Sequence, residues 1–110
     1  MRYNKYGNKK VYLDGYKFDS KKERDRYTVL KSLEKAGKIS ELKLQVPFDL
    51  IPTLKHNGKT LKKIVYKADF TYIMNGEYIV EDVKGFETDV FKIKMRLLLL
   101  NYSDINFKTV

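Results

Sequence analysis

The sequence predicts an α/β domain in which helices cover a mixed β-sheet. Two segments rich in β-branched and aromatic residues flank Asn75-Gly76, and this dipeptide is a strong signal for a tight hairpin. Both flanking strands carry apolar residues on both sides, which indicates that both faces of the sheet are buried. Helical segments stand on either side of the hairpin, each preceded by a capping residue, Ser20 or Thr88. The predicted order is a small hairpin followed by α-β-β-β-α-β.

A basic arm and a small hairpin are predicted within residues 1–18. Residues 1–8 contain basic residues and tyrosines and show no strand or helix pattern. Residues 10–18 are expected to form two short strands that turn at Asp14-Gly15, because both residues tolerate the positive φ of a type I′ turn. The chain has 110 residues and no interdomain linker, so residues 1–110 are predicted to form a single domain.

The first helix is predicted to run from Ser20 to about Ala36. Ser20 and Glu23 have the spacing of a capping box, in which each side chain accepts a hydrogen bond from the backbone amide of the other. Gly37 is well placed to end the helix, since glycine readily adopts the left-handed conformation found after a helix.

A long strand is predicted from about Ile39 to Ile51, where apolar residues alternate with more polar ones. Pro47 indicates that this strand lies at a sheet edge or is bent, because proline has no backbone amide to donate. Residues 52–62, which include Asn57-Gly58, are predicted to be a turn or a surface loop.

The central hairpin, with strands near residues 63–74 and 77–84, is followed by a loop at residues 85–87. Thr88 is expected to cap a second helix, from Asp89 to about Asn101, and residues 105–110 are expected to form the last strand. The apolar positions that keep helical spacing in this helix are Val90, Ile93, Leu97 and Leu100.

Composition narrows the function classes. The chain has no cysteine, which excludes a disulfide scaffold, a thiolate metal site and a cysteine nucleophile. Its amino end has no apolar stretch, and no apolar run is long enough to span a bilayer, so a cytoplasmic location is expected. The net charge of +9 and the 15 aromatic residues favour a nucleic acid as partner. An anionic membrane surface and simple solubility charge are the weaker interpretations.

Two acidic residues are predicted to lie opposite each other in the central hairpin. If Met74 pairs with Glu77, counting outward places Asp69 opposite Asp82. Carboxylates about 5 Å apart repel each other by roughly 3 kcal/mol at an effective dielectric of 20. This repulsion favours a counter-ion, and a divalent metal is the simplest candidate. The alternative is a network of ion pairs with two lysines at the next pair of inward-facing positions, Lys67 and Lys84.

Glu23 is the third candidate acid. At 100° per residue, Tyr27 and Leu30 share its side of the helix, so Glu23 is expected to face the sheet. A carboxylate on a burying face needs a partner, which the capping box, a metal ion or both could supply. Glu81 is predicted to point to the other face of the sheet and is excluded from the site.

The remaining polar candidates are less specific. His56 is the only histidine and is expected to be a solvated loop residue, which argues against a histidine-metal nuclease and a Ser-His-Asp triad. Basic residues of the second helix form either its solvated face or contacts to phosphates. The candidate nucleic-acid contacts are Lys9, Lys10, Lys67, Lys92, Lys94 and Arg96.

The ordered set of Glu23, Asp69 and Asp82-Val83-Lys84, on a helix and two adjacent strands, resembles the PD-(D/E)XK nuclease superfamily. Within it, the chain resembles a family of small phage-encoded endonucleases formerly catalogued as a domain of unknown function. Ala68 stands where the name-giving motif has its proline. The segments that carry the likeness are Tyr6–Lys10, Phe18–Glu23, Lys67–Phe70, Val80–Gly85 and Thr88–Lys94.

This resemblance implies a restriction-endonuclease-like core and hydrolysis of DNA phosphodiester bonds with Mg²⁺ or Mn²⁺. It implies Asp69, Asp82 and the main-chain carbonyl of Val83 as metal ligands, with Glu23 binding the metal directly or through water. Lys84 would orient or deprotonate the attacking water. Oxygen ligands suit magnesium or manganese better than zinc.

The expected role is cleavage of branched DNA or of other replication and recombination intermediates of a phage in a bacterial host. Expected partners are DNA, phage or host replication and recombination proteins, and a second copy of the chain, since one domain of this size has limited reach over a duplex. Two alternatives stay open. One is a nucleic-acid-binding module with a degenerate site, and the other is a factor that engages a regulatory protein of the host or of a mobile element.

Overall fold

The computed structural model describes residues 10–83 and 87–110. Several predictions lie outside the described residues. They concern the basic arm of residues 1–8, the candidate contact Lys9, the candidate catalytic Lys84 and most of the loop at residues 85–87. The elements are β1 (Val11–Leu13), β2 (Tyr16–Phe18), α1 (Lys21–Lys35), β3 (Ser40–Ile51), β4 (Leu54–His56), β5 (Lys59–Leu61), β6 (Ile64–Met74), β7 (Glu77–Asp82), α2 (Asp89–Asn101) and β8 (Asn106–Thr109).

The main sheet has four strands in the order β3-β6-β7-β8. The first two pairs are antiparallel and β7 pairs with β8 in parallel, so the sheet is mixed. Residues of α1 pack in one apolar core and residues of α2 pack in another. The predicted α/β class, with a mixed sheet, two helices and an N-terminal hairpin, is confirmed. β3 is an edge strand, as Pro47 indicates.

The central hairpin has the predicted register. Met74 pairs with Glu77 and Phe70 pairs with Glu81. Asp69 follows at the end of β7, where its side chain accepts from the Val83 amide and is close enough to Asp82 for the two charges to interact. The turn residues Asn75 and Gly76 have φ angles of 52° and 79°, which is the left-handed backbone that a type I′ turn requires.

Residues 52–62 are exposed and contain the predicted turn at Asn57-Gly58, but the residues on either side of it form two short strands that were not predicted. Leu54 pairs with Leu61 across β4 and β5, and Asn57 and Gly58 turn the chain with φ angles of 50° and 74°. The same physical rule that predicts the central hairpin applies to this Asn-Gly turn. Its strands are only three residues long, which is too short for alternation to stand out in the sequence.

The apolar side of α2 is also different from the one that the spacing indicates. Phe91 and Leu98 are the buried residues of the helix, whereas Val90, Ile93 and Leu100 are 62%, 58% and 76% exposed. α2 has apolar residues on two sides, and the side with the aromatic ring packs on the sheet, because burying a large ring gains more. Leu97, the fourth position that the spacing indicates, is half-buried and packs against the core beside α2.

In the middle of β3 and β6, the side chains that face one core change over to face the other core. Alternation would put Ala68 and Phe70 on one face, yet Ala68 belongs to the core beside α2 and Phe70 to the core beside α1. Leu44 and Val46 show the same change, at the same level of the sheet, since they pair with Phe70 and Ala68. Gln45 lies between them with a φ of 55°, which is uncommon for a residue with a side chain.

In the part of the chain that the structure describes, neither helix combines the length and the apolar character that crossing a membrane requires.

Candidate metal site at the junction of two cores

A partly enclosed cavity of about 490 Å³ opens where the two cores meet. The start of α1, the middle of β3 and β6, and the end of β7 form its walls. All three predicted acids, Glu23, Asp69 and Asp82, line it. The other lining residues are Asp19, Ser20, Lys22, Gln45, Tyr66, Lys67 and Val83.

Glu23 is held by hydrogen bonds to both of its carboxylate oxygens. Its backbone amide donates to Ser20 Oγ (3.1 Å), which confirms the serine half of the predicted capping box. The bond to the Glu23 side chain differs from the prediction, because it comes from the amide of Asp19 rather than from that of Ser20. Its Oε1 accepts from the backbone amide of Asp19 (2.9 Å) and its Oε2 from Gln45 Nε2 (2.9 Å). Glu23 is only 3% exposed, so these bonds fix the carboxylate firmly in the cavity wall.

Asp69 is close enough to both of the other acids for their charges to act on it. Its Oδ2 accepts a hydrogen bond from the backbone amide of Val83 (2.8 Å). Burial raises the pKa of Asp69 to about 8, and the charges of Asp82 and then Glu23 add to the rise, against the Val83 amide, which lowers it. The raised pKa favours the protonated carboxyl, and a cation that compensates the negative charges around it would favour the carboxylate.

Asp82 ends β7 with only 3% of its surface exposed. The phenol of Tyr66 lies close to Asp82. Burial, and then the charge of Asp82, raise the pKa of this phenol. Among the described residues, the buried Tyr66 hydroxyl has no hydrogen-bond partner of ordinary geometry. A buried hydroxyl without a partner is costly, so this oxygen is suited to contact a water or a ligand in the cavity.

The three acids are brought together, but not in a ready-made coordination sphere. In residues 10–83 and 87–110, no group of three acidic or histidine side chains has the geometry of a metal site. Both oxygens of Glu23 already accept hydrogen bonds from protein donors. Asp69 and Asp82 are therefore the candidates for direct ligands, and Glu23 is better placed to act through water.

The chain matches, over residues 3–110, a family model described as "Protein of unknown function (DUF1064)". The chain belongs to this family. No curated protein and no solved structure matches it. The expected likeness to a family catalogued as a domain of unknown function is confirmed at this level, and membership of the PD-(D/E)XK superfamily stays a prediction.

In this DUF1064 chain, the predicted nucleic-acid contacts divide into two groups. Lys67 lines the cavity, and Lys10 lies near it, because its Nζ pairs with Oδ1 of the lining residue Asp19 at 2.6 Å. Lys94 donates to the backbone oxygen of Val65 (3.2 Å) and so is engaged with the sheet. Lys92 and Arg96 are exposed on α2 and do not line the cavity.

Glu81 is separate from the cavity, as predicted. It is fully buried and accepts two hydrogen bonds from Arg26, at 2.6 and 2.8 Å. The Tyr72 hydroxyl adds a third at 2.6 Å. Arg26 is 55 residues away in the sequence, so no local pattern indicates this pair.

The sequence reasoning missed Gln45 and Tyr66, which both line the cavity. Gln45 looks like an ordinary polar residue of an edge strand, and nothing in its spacing indicates the left-handed φ that directs its amide to Glu23. Tyr66 is one of nine tyrosines and has the pattern of a core residue. The one signal for Tyr66 is that it lies on the same strand as Asp69, two residues before Ala68.

Proposed function

We propose that the chain is a divalent-metal-dependent endonuclease that hydrolyses DNA phosphodiester bonds through a PD-(D/E)XK-type site on a restriction-endonuclease-like core. The observation that carries the proposal is the pair Asp69 and Asp82, a half-buried and a buried carboxyl of neighbouring strands that line one cavity, where burial and then the charge of Asp82 raise the pKa of Asp69. Acids with a raised pKa that line a cleft are typical of functional sites.

The donor set fits Mg²⁺ or Mn²⁺. Asp69 and Asp82 would hold the ion, Glu23 would orient a bound water, and the resemblance adds the carbonyl of Val83. All of these ligands are oxygens, the donor type that hard cations prefer. When bound, the ion would polarise the phosphate and lower the pKa of water.

The side chains of the cavity supply the remaining chemistry. Lys67 is exposed at the cavity and offers a cation to a phosphate oxygen. The Tyr66 hydroxyl offers a donor within the buried part of the site. Gln45 keeps the Glu23 carboxylate in place, which leaves that group fixed before a substrate arrives. We assign Lys84 the role of orienting the attacking water, on the strength of the resemblance alone.

A basic wing supports a long polyanion as the substrate. Residues 52–63, named the basic wing here, contain four lysines and no acid. Lys55, Lys59 and Lys62 are exposed, and Lys63 pairs with Asp49 at 3.6 Å. The wing leaves the sheet five residues before Asp69, roughly 16 Å along the strand, a length that about five phosphates of one DNA strand would span.

The substrate class therefore follows from charge and distance rather than from a groove-reading motif. A small phosphodiester would not need basic residues that far from the acids, whereas a nucleic acid strand would contact both regions. We expect the protein to act on phage DNA in the cytoplasm of a bacterial host, where replication and recombination produce branched intermediates.

Single-turnover cleavage tests the proposal. Linear and branched DNA are incubated with excess protein, with and without Mg²⁺, the ion that the oxygen donors suit. We expect Asp82→Asn to cleave at least about a hundredfold more slowly, as expected when a metal ligand is lost. Asp104→Asn, which changes an exposed acid outside the cavity, is the matched control.

The proposal is contradicted if Asp82→Asn and the unchanged chain cleave DNA at the same rate and magnesium changes neither rate. Salt-sensitive DNA binding that a chelator does not affect, with no nicking, would identify the degenerate binding module instead. Tight binding to a regulatory protein that is unaffected by Asp82→Asn would favour the interaction factor.

A further inference from the structure

The basic wing carries a pair of half-exposed leucines. Leu54 and Leu61 are 49% and 48% exposed, and they pair directly across β4 and β5. Their side chains therefore lie side by side on one face of the hairpin. All of residues 52–63 are exposed, and neither leucine belongs to the two apolar cores of the described chain. Both faces of the wing are thus open to solvent, and packing on the body of the protein does not explain its leucines.

The leucine pair contributes to the hairpin itself, but this role leaves much of its surface unused. Apolar side chains that face each other across two strands stabilise a short hairpin. A pair of β-branched residues such as threonine would do the same with less apolar surface exposed. About half of each leucine stays open after the two have packed together, and this surface is available to a partner.

The charge of the wing indicates which partner the leucines meet. Residues 52–63 contain four lysines and no acid. Lys59 lies on the face of the leucines, because it pairs with His56, two positions along the strand from Leu54. A second copy of the wing would bring like charges together on this face, whereas a polyanion is attracted to it. The charge therefore favours a nucleic acid as the partner of the leucine pair.

The apolar surface that DNA offers to a leucine is mainly the faces of its bases. In an intact duplex these faces are stacked on each other, and an apolar side chain that enters a base step must first unstack it. Burying the open halves of two leucines raises the affinity by roughly tenfold to a hundredfold, which does not exceed the cost of unstacking an intact step. The gain is therefore realised where the step is already open, as at a bulge, a gap or a branch point.

We propose that Leu54 and Leu61 form a wedge that packs on the exposed base faces of an opened step in DNA, while the lysines of the wing contact the phosphates on either side. The inference rests on the proposed function for its ligand, DNA, and it names the DNA structure that the cavity would receive. Leu61 is eight residues before Asp69. Their Cα atoms are therefore at most about 28 Å apart, roughly eight base steps of one strand. We expect incisions close to the opened step, within about ten nucleotides when the reach of the side chains is added.

DNA binding by the full chain in the presence of a chelator tests the wedge without the metal site. The probes are a short duplex and the same duplex with a central bulge, where a fluorescent base analogue beside the bulge reports stacking. We expect the unchanged chain to bind the bulged probe at least about tenfold more tightly, and Leu54→Thr with Leu61→Thr to lose this preference. Leu54→Ile with Leu61→Ile keeps the apolar surface and should keep the preference. Val29→Thr, which alters an apolar residue of α1 that is 47% exposed, is the matched control.

The threonine pair should keep the hairpin and its lysines, because threonine is a good strand former, so the salt dependence of binding to the intact duplex should not change. A bulge preference that the threonine pair retains, or one that Val29→Thr loses equally, overturns the wedge. Magnesium-dependent incisions that are scattered along the bulged probe overturn it as well, and they leave the proposed function standing. A bulge preference that depends on the leucines, with no magnesium-dependent cleavage, would contradict the proposed function and support the wedge.

Discussion

The raised pKa of Asp69 predicts how the free energy of unfolding of the metal-free chain depends on pH. The pKa of Asp69 is raised to about 8 in the folded chain, from 3.8 for an ordinary aspartate. Between these values the folded chain holds a proton that the unfolded chain has released. The free energy of unfolding must therefore fall as the pH rises through this window, and the loss is complete above about pH 8.

The magnitude follows from the width of the window. Each pH unit within it costs about 1.4 kcal/mol, so the chain should lose up to about 4 kcal/mol between pH 5 and pH 8. Asp69 interacts with the neighbouring acids and is only partly buried, and both facts reduce the effect of its proton on stability. A loss of about 2 kcal/mol would therefore still agree with the structure. Asp69→Asn has no such proton to lose and should show a much smaller decrease.

Urea unfolding followed by circular dichroism, at pH values from 5 to 9 with a chelator present, measures this difference. Asp104→Asn is the control, because it removes an exposed acid and should follow the unchanged chain. Stability that rises with pH over this range, or equal slopes for Asp69→Asn and the unchanged chain, would refute the interpretation of the buried pair.

Two further predictions concern other parts of the molecule. Arg26→Ala leaves Glu81 fully buried without its cation and should cost about 3–5 kcal/mol in urea unfolding, whereas Arg24→Ala, at an exposed pair, should cost less than about 1 kcal/mol; equal losses would contradict the buried pair. Changing Lys55 and Lys59 to Gln should reduce the slope of log K against log salt for duplex DNA by about 2, and an unchanged slope would remove the basic wing from the interface.

Local rules account for most of the fold. The Asn75-Gly76 turn defines the register of the central hairpin, and the register brings Asp69 to the end of β7, near Asp82 and Val83. The capping box at Ser20 places Glu23 at the start of a helix, and the helix side that carries Tyr27 is indeed buried. These features depend on residues near each other in the chain, so the sequence alone is sufficient to predict them.

The remaining features depend on competition between surfaces or on distant residues. α2 has two apolar stripes, and only the shape of the sheet decides that Phe91 rather than Val90 is buried. The change of strand faces at Gln45 depends on one left-handed residue for which the sequence has no marker. The Arg26–Glu81 pair joins residues 55 positions apart, which periodicity cannot reveal.

Binding of Mn²⁺ tests the central claim most directly, because it measures the paired carboxylates without requiring a substrate. Titration at pH 8 followed by electron paramagnetic resonance should show saturable binding that Asp82→Asn weakens at least tenfold, as loss of a direct ligand does. Asp104→Asn should bind like the unchanged chain. Equal Mn²⁺ binding by all three proteins would show that the buried acids do not form a metal site.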